Sequence, residues 1–295
     1  MSESIDQGQQ QPRMTIRRMP FTFVASRKTH WNGDKPEFSQ IVNAASLAMP
    51  FLEPHLIRSM RKARVEIADP VLREQLDQYV SQEGQHYQQH KKYNDSIADE
   101  YSCVEGIEKI LAADYKSLDK KSLRFKLAYA EGFESMALAI GNMLITDREY
   151  LFGKSDSTVA SLILWHFVEE IEHKNVAFDV YDYLFGSYLW RIYGFVYATA
   201  HIFFRSRQAY RLLLKQDGLW SNWKSRWRLT RLLLRIFKNL TPRLLAVFRP
   251  GYHPEQISDP QWVLDWTEMF KVDAQQAAQL DTNRFSEASP AALIS

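Results

Sequence analysis

The chain has 295 residues, 45% of them hydrophobic, a single cysteine and a formal net charge of +2. That length and apolar content can fill the core of one large or two modest domains, while one cysteine excludes a disulfide framework and any multi-thiolate metal site. Residues 1–18 are polar and Gln-rich, without the apolar core of a signal peptide, so a cytoplasmic protein is expected.

In chain order, residues 1–18 read as a disordered tail, and residues 17–36 as an ordered lead-in ending in a turn at Asn32-Gly33-Asp34. A helix is predicted from about residue 38. Pro50 and Pro54 are expected to interrupt or restart it, and the restarted piece, 51–65, carries Glu53. Asp69-Pro70 is a cap and first-turn signal for the next helix, about 70–93, which carries Glu83 and His86. A short connecting helix over 102–114 follows. A long helix over 120–146 then has a broad apolar face around Glu131. The last helix of this set, 157–183, has neither Pro nor Gly in its interior, as a long bundle helix requires. No alternating run suggests a sheet, so the expected fold is all-α. The expected division is a tail (1–18), a helical bundle (19–185), a helical extension packed on it (186–273) and a loosely ordered tail (274–295).

The extension has its own chemistry. Between Gly186 and Pro254 thirteen Lys and Arg stand against one acid, Asp217, so the rest of the chain is net acidic. Such a segment fits either an anionic surface or a solvated helix face paired with acidic helices elsewhere. Residues 188–204 are aromatic and apolar apart from Arg191, with Gly194 the one helix-weak position. The uninterrupted apolar part is too short to span a bilayer, so a buried or interfacial helix is expected. Residues 220–248 mix Trp223, Trp227 and Leu234 with basic residues, the composition of an amphipathic helix on a membrane surface or over an apolar tunnel. Peripheral contact with an anionic membrane is thus one expectation; nucleic acid is not an expected partner.

The chemistry sits in the stretch Trp165-His166-Phe167-Val168-Glu169-Glu170-Ile171-Glu172-His173-Lys174. His166, Glu170 and His173, at spacings of four and three, project from one helix face within roughly 60°. Gln82-Glu83-Gly84-Gln85-His86 repeats the Glu-x-x-His spacing on another helix, and each segment has a Glu in an apolar helix upstream, Glu53 and Glu131. Glu53 to Glu83 is 30 residues and Glu131 to Glu170 is 39, each close to a helix, a turn and a return to the same level. Carboxylates converging inside a bundle repel one another and are costly to bury unless a cation joins them. One Glu and one Glu-x-x-His, twice over, is the ligand set of a dinuclear carboxylate site in a four-helix bundle. The expected ligands are Glu53, Glu83 and His86 mainly on one metal, Glu131, Glu170 and His173 mainly on the other, with Glu83 and Glu170 as bridges. Oxygen-rich ligands with imidazoles and no thiolate favour two iron ions, with manganese as the other candidate.

This order of motifs resembles the ferritin-like di-iron carboxylate superfamily over roughly residues 37–182. Within it, His166-x-x-x-Glu170-x-x-His173 resembles the di-iron arylamine N-oxygenases, which implies His166 as a seventh ligand. Gln82-Glu83-Gly84-Gln85-His86-x-x-x-His90-x-x-x-Asn94, with His30-Trp31 and Pro50-Phe51-Leu52-Glu53, looks closest to the bacterial family described as predicted metal-dependent hydrolases. That resemblance extends over most of the chain. His90, Glu134 and Glu169 are expected around the ligands, orienting them. Glu172 is expected to point away, and His55, His201 and His253 to be structural or surface residues.

The functional expectation is an oxidoreductase that uses dioxygen as co-substrate to oxidise an apolar or aromatic small molecule, with a separate electron donor. A metal-dependent hydrolase using a metal-activated water is the alternative.

Overall fold

The computed structural model describes residues 14–23 and 30–285, and among them there is no strand. The all-α expectation holds. The principal helices are α1 (Pro36–Arg64), α2 (Pro70–Glu100), α3 (Val104–Leu118), α4 (Leu123–Thr146), the short α5 (Arg148–Phe152), α6 (Ser157–Glu172), α7 (Val176–Leu184), α8 (Tyr188–Gln216) and α9 (Trp223–Ala246). Helices α10 (Gln261–Val272) and α11 (Ala274–Ala277) follow. Helices α1, α2, α4 and α6 with α7 surround a common interior, and α8 lies along α4 and α1. Among the described residues, no helix is long and apolar enough to cross a membrane.

Helix α1 runs unbroken through Pro50 and Pro54, contrary to the predicted restart. Pro50 has no N–H to give to the carbonyl four residues back, that of Ser46. Asn94 of α2 replaces it, its side-chain amide donating to Ser46 O at 2.9 Å. Asp69 caps α2 as expected, accepting from the Val71 and Leu72 amides. The predicted single helix over 157–183 is instead two, because the chain leaves the helix at His173 and restarts after Asn175. Lys174, at this break, is drawn outward to the Ile257 carbonyl and the Asp259 carboxylate.

Gly194, the helix-weak position of α8, sits where α8 crosses α4. A Cβ there would lie 2.1 Å from the Ala128 carbonyl oxygen, and one on Gly132 of α4 would lie 2.4 Å from Phe195 Cα. The crossing exists only because both side chains are absent.

The predicted tails, 1–18 and 274–295, lie partly outside the described residues. Residues 1–13, 24–29 and 286–295 lie outside the described residues, but Met14–Arg18 is not loose. Arg17 is 1% exposed, bonded to Glu169 and Glu172 and stacked over Trp266 and Phe270. At the other end, residues 274–285 are held by α11 and by the buried Leu280 and Phe285, and the Leu280 amide donates to Ser161 Oγ. The basic segment is partly stitched to the bundle: Arg191, Arg205, Arg228 and Arg235 pair with Glu131, Asp114, Glu37 and Asp147.

Candidate metal centre

The interior between α1, α2, α4 and α6 holds two adjoining groups of side chains, Glu53 with His86 and His166, and Glu83 with Glu134, Glu170 and His173. All seven are buried. Six of them are expected ligands. The seventh corner, assigned in the sequence to Glu131, is filled by Glu134.

Residues 131 and 134 lie one turn apart and about 60° round the helix, so both are on the inner side of α4. Glu131 turns toward α8, where Arg191 approaches at 3.5 Å and Ser135 Oγ donates at 3.0 Å. Glu134 turns toward α2 and the end of α6. Its Oε1 accepts from Tyr79 at 2.7 Å, and its Oε2 lies 3.4 Å from His173 Nε2.

Glu170 stands between the two groups. Its Oε1 is 3.2 Å from His166 Nε2 and 3.6 Å from His86 Nδ1, while its Oε2 is 3.5 Å from His173 Nε2. Glu83 also reaches both sides, with Oε1 4.0 Å from His86 Nδ1 and 3.5 Å from His173 Nε2. These separations suit atoms sharing a cation at about 2.1 Å better than atoms sharing hydrogens.

The surrounding residues fix which imidazole nitrogen faces inward. Asn94 donates its amide to Ser46 O, which leaves its Oδ1 to accept from Ser46 Oγ at 2.6 Å. The Ser46 hydroxyl proton is therefore used, so His90 Nδ1 must donate to Ser46 Oγ at 2.8 Å. His90 Nε2 is then an acceptor, and the ring nitrogen 3.0 Å away that donates to it is His166 Nδ1. The outcome is a His166 Nε2 lone pair aimed at the carboxylates. His86 Nε2 and Glu169 Oε2 are 3.0 Å apart, and Arg17 holds Glu169, so His86 presents Nδ1. His173 Nδ1 donates to Gln82 Oε1 at 3.0 Å, which presents Nε2. His90 and Glu169 thus sit where orienting residues were expected, whereas Glu134 sits in the cluster itself. Gln82, Tyr79 and Arg17 were not anticipated; Gln82 adjoins Glu83 in the motif, but nothing in the spacing marks the other two.

Glu172 points away as expected, toward Arg17. His55, His201 and His253 pair with Asp119, Asp114 and Asp179, outside the cluster.

The cluster's electrostatics are those of a site short of cations. Burial, reinforced by Glu170 and Glu134, raises Glu53 and Glu83 well above the ordinary carboxyl range. Burial raises Glu134 to about 7. Burial alone would also raise Glu170, but the adjoining His173 and His166 imidazoles hold it well below. Burial would lower His173, yet Glu170 and Glu134 lift it well above an ordinary imidazole. Burial and neighbouring imidazoles keep His86 and His90 neutral, their values pushed well down. Both oxygens of Glu53, Glu83 and Glu170, one of Glu134, His86 Nδ1 and His173 Nε2 are fully buried without a hydrogen-bond partner. Nine orphaned polar atoms at one point would cost too much unless something else meets them. Divalent cations fit the donor set.

Beside the cluster lies a cavity of about 390 Å³. His90 and His166 form part of its wall, and the rest is mainly apolar, including Phe133, Ala137, Ile140 and Phe167.

Fold and site together define an all-α bundle with a buried carboxylate–imidazole cluster able to hold metal ions. The model of the predicted metal-dependent hydrolase family matches residues 15–258, and the chain belongs to that family. No curated protein and no solved structure matches the chain significantly.

Proposed function

We propose that the chain is a dinuclear metal enzyme oxidising an apolar small molecule, with two iron ions as cofactor, dioxygen as co-substrate and a separate electron donor. Manganese is the other candidate metal. What carries this reading is the convergence of nine orphaned donor atoms of Glu53, Glu83, His86, Glu134, Glu170 and His173 beside an almost wholly apolar cavity. Glu53, His86 and His166 would hold one ion, Glu134 and His173 the other, and Glu83 and Glu170 would reach both. Bound iron supplies dioxygen and one-electron chemistry, and bound zinc or manganese would supply acidified water. The chain's own residues orient the ligating rings, keep water out and hold the substrate against His166. The resemblance to ferritin-like di-iron carboxylate proteins supports the same reading.

Hydrolysis is the second reading, and the family's description favours it. The cavity chemistry weighs the other way. A hydrolytic reaction needs the bound ions, or protein donors beside them, to meet a developing oxyanion. Beside the cluster, the Ser46 hydroxyl proton is committed to Asn94 and the His90 Nδ1 proton to Ser46.

Metal analysis of protein isolated under low oxygen, followed by optical spectra on admitting dioxygen to the reduced protein, separates the two. Two irons per chain and a new oxygen-dependent absorption are expected. Zinc at that stoichiometry, with anaerobic turnover of generic esters, would establish hydrolysis instead.

A further inference from the structure

Helix α9 is apolar on two opposite sides. Leu229, Leu232 and Leu240 face the bundle. Trp223, Trp227, Leu234, Phe237 and Leu245 face out, with exposures of 73%, 60%, 65%, 46% and 60%. At 100° per residue those five fall within an arc of about 80°, a stripe roughly 33 Å long. Lys224, Arg226, Arg231 and Lys238 flank the stripe and have no carboxylate partner among the described residues, unlike Arg228 and Arg235, which are tied down to Glu37 and Asp147. Helix α8 adds Leu189, Val196 and Phe204, each about half exposed or more.

The cavity beside His166 runs to this same surface. Its wall includes Phe203 and Arg207 of α8 and Leu233 and Phe237 of α9, and the Phe203 and Phe237 rings lie 6.1 Å apart. Phe237 belongs to both the outer stripe and the cavity wall, and Arg207 is exposed at the rim.

We propose that the α8–α9 face docks on an anionic lipid bilayer, so that the cavity opens onto the membrane and an apolar substrate reaches it from the lipid phase. An exposed apolar stripe costs free energy in water, and rows of cations beside it suit acidic headgroups. A protein partner would need acidic groups set along both flanks of a nearly straight ridge. A bilayer offers the apolar interior and the anionic plane together. Vesicle binding requires neither metal nor turnover, so its failure is distinct from failure of the proposed reaction.

The test is co-sedimentation of the full chain with vesicles of phosphatidylcholine containing phosphatidylglycerol, against phosphatidylcholine alone. Binding is expected with the anionic vesicles and should fall with added salt. The Trp223→Ser/Trp227→Ser/Leu234→Ser protein, and separately Arg231→Glu/Lys238→Glu, should each bind roughly tenfold more weakly. Circular dichroism and metal content, unchanged in both, would confirm that the bundle is intact. Brominated lipids should quench tryptophan fluorescence in the parent chain and much less in Trp223→Phe/Trp227→Phe. Equal sedimentation with neutral and anionic vesicles overturns the proposal, as does undiminished binding of both variants. A parent dimer that the apolar variant converts to monomers, without lipid binding, would assign the face to a second copy and also overturn it.

Discussion

His173 Nε2 lies 3.4 Å from Glu134 Oε2, while Glu131, one turn earlier on the same helix, turns toward α8 and is 3.5 Å from Arg191. The two glutamates therefore have separable consequences. Glu134→Ala should lower metal content by about one ion per chain, because it removes one of the two side chains assigned to the second ion alone. Glu131→Ala should leave metal content near that of the parent. It removes the carboxylate beside the buried Arg191, which keeps its bond to the Val247 carbonyl, and should cost about 1 to 3 kcal/mol of stability. Elemental analysis and thermal denaturation of the two proteins check both halves.

Glu169 connects Arg17 to His86. Replacing it with Gln keeps an acceptor for the His86 Nε2 proton; replacing it with Leu does not. Glu169→Leu is expected to weaken metal binding about 10- to 100-fold and Glu169→Gln much less, as befits a residue that acts by orienting a ligating ring. Competition with a chelator of known affinity measures the difference.

The metal-free chain should grow less stable as pH rises. Burial keeps Glu131 and Glu134 protonated up to about 7 and Glu169 up to about 8, above an ordinary carboxyl at 4.5. Between those limits the folded chain binds more protons than the unfolded one, so stability is full below the ordinary value and is lost as pH passes the raised ones. The melting temperature of chelated protein should therefore be highest near about pH 5 and decline toward about pH 8. Metal binding must expel protons from Glu53, Glu83 and Glu134, so apparent affinity should rise over the same interval. Calorimetry in two buffers of different ionisation enthalpy counts the protons released; no release would contradict the protonation states described.

Gly194→Ala tests the crossing that brings α8 against α4. The new methyl would meet the Ala128 carbonyl oxygen at 2.1 Å, and backbone cannot step aside as a flexible side chain can. A loss of about 2 to 3 kcal/mol is expected, and metal affinity should fall with it because α4 carries Glu134. A melting temperature equal to the parent's would show that the helices can separate freely.

Much of the fold and of the cluster is legible in the amino-acid sequence. Asp69-Pro70 marks the start of α2 by local chemistry, and the paired Glu-x-x-His spacings select Glu83, His86, Glu170 and His173 because helical periodicity leaves them one face. The choice between Glu131 and Glu134 was not legible. Both lie on the inner side of α4, and what divides them is Arg191, some sixty residues on, which claims the first. Pro50 misled for a related reason: the bond it forfeits inside α1 is restored by Asn94, a partner from another helix. Local rules are overridden here wherever a distant side chain supplies what the local backbone lacks.

The cavity wall offers the test that best separates substrate binding from metal binding. Ala137 lies in that wall, on α4 one turn beyond Glu134, and is 2% exposed. Ala137→Phe would fill part of the roughly 390 Å³ beside His166 without touching a metal-facing atom. Metal content and, to within about 1 to 3 kcal/mol of overpacking cost, stability should persist. Binding of an apolar fluorescent probe should fall steeply, and turnover with it once a substrate is known. His90→Phe acts on the same wall but also removes the acceptor for the His166 Nδ1 proton, so it should lose both probe binding and metal affinity. If Ala137→Phe instead lost metal while still binding the probe, the cavity and the cluster could not be arranged as substrate pocket and reaction centre.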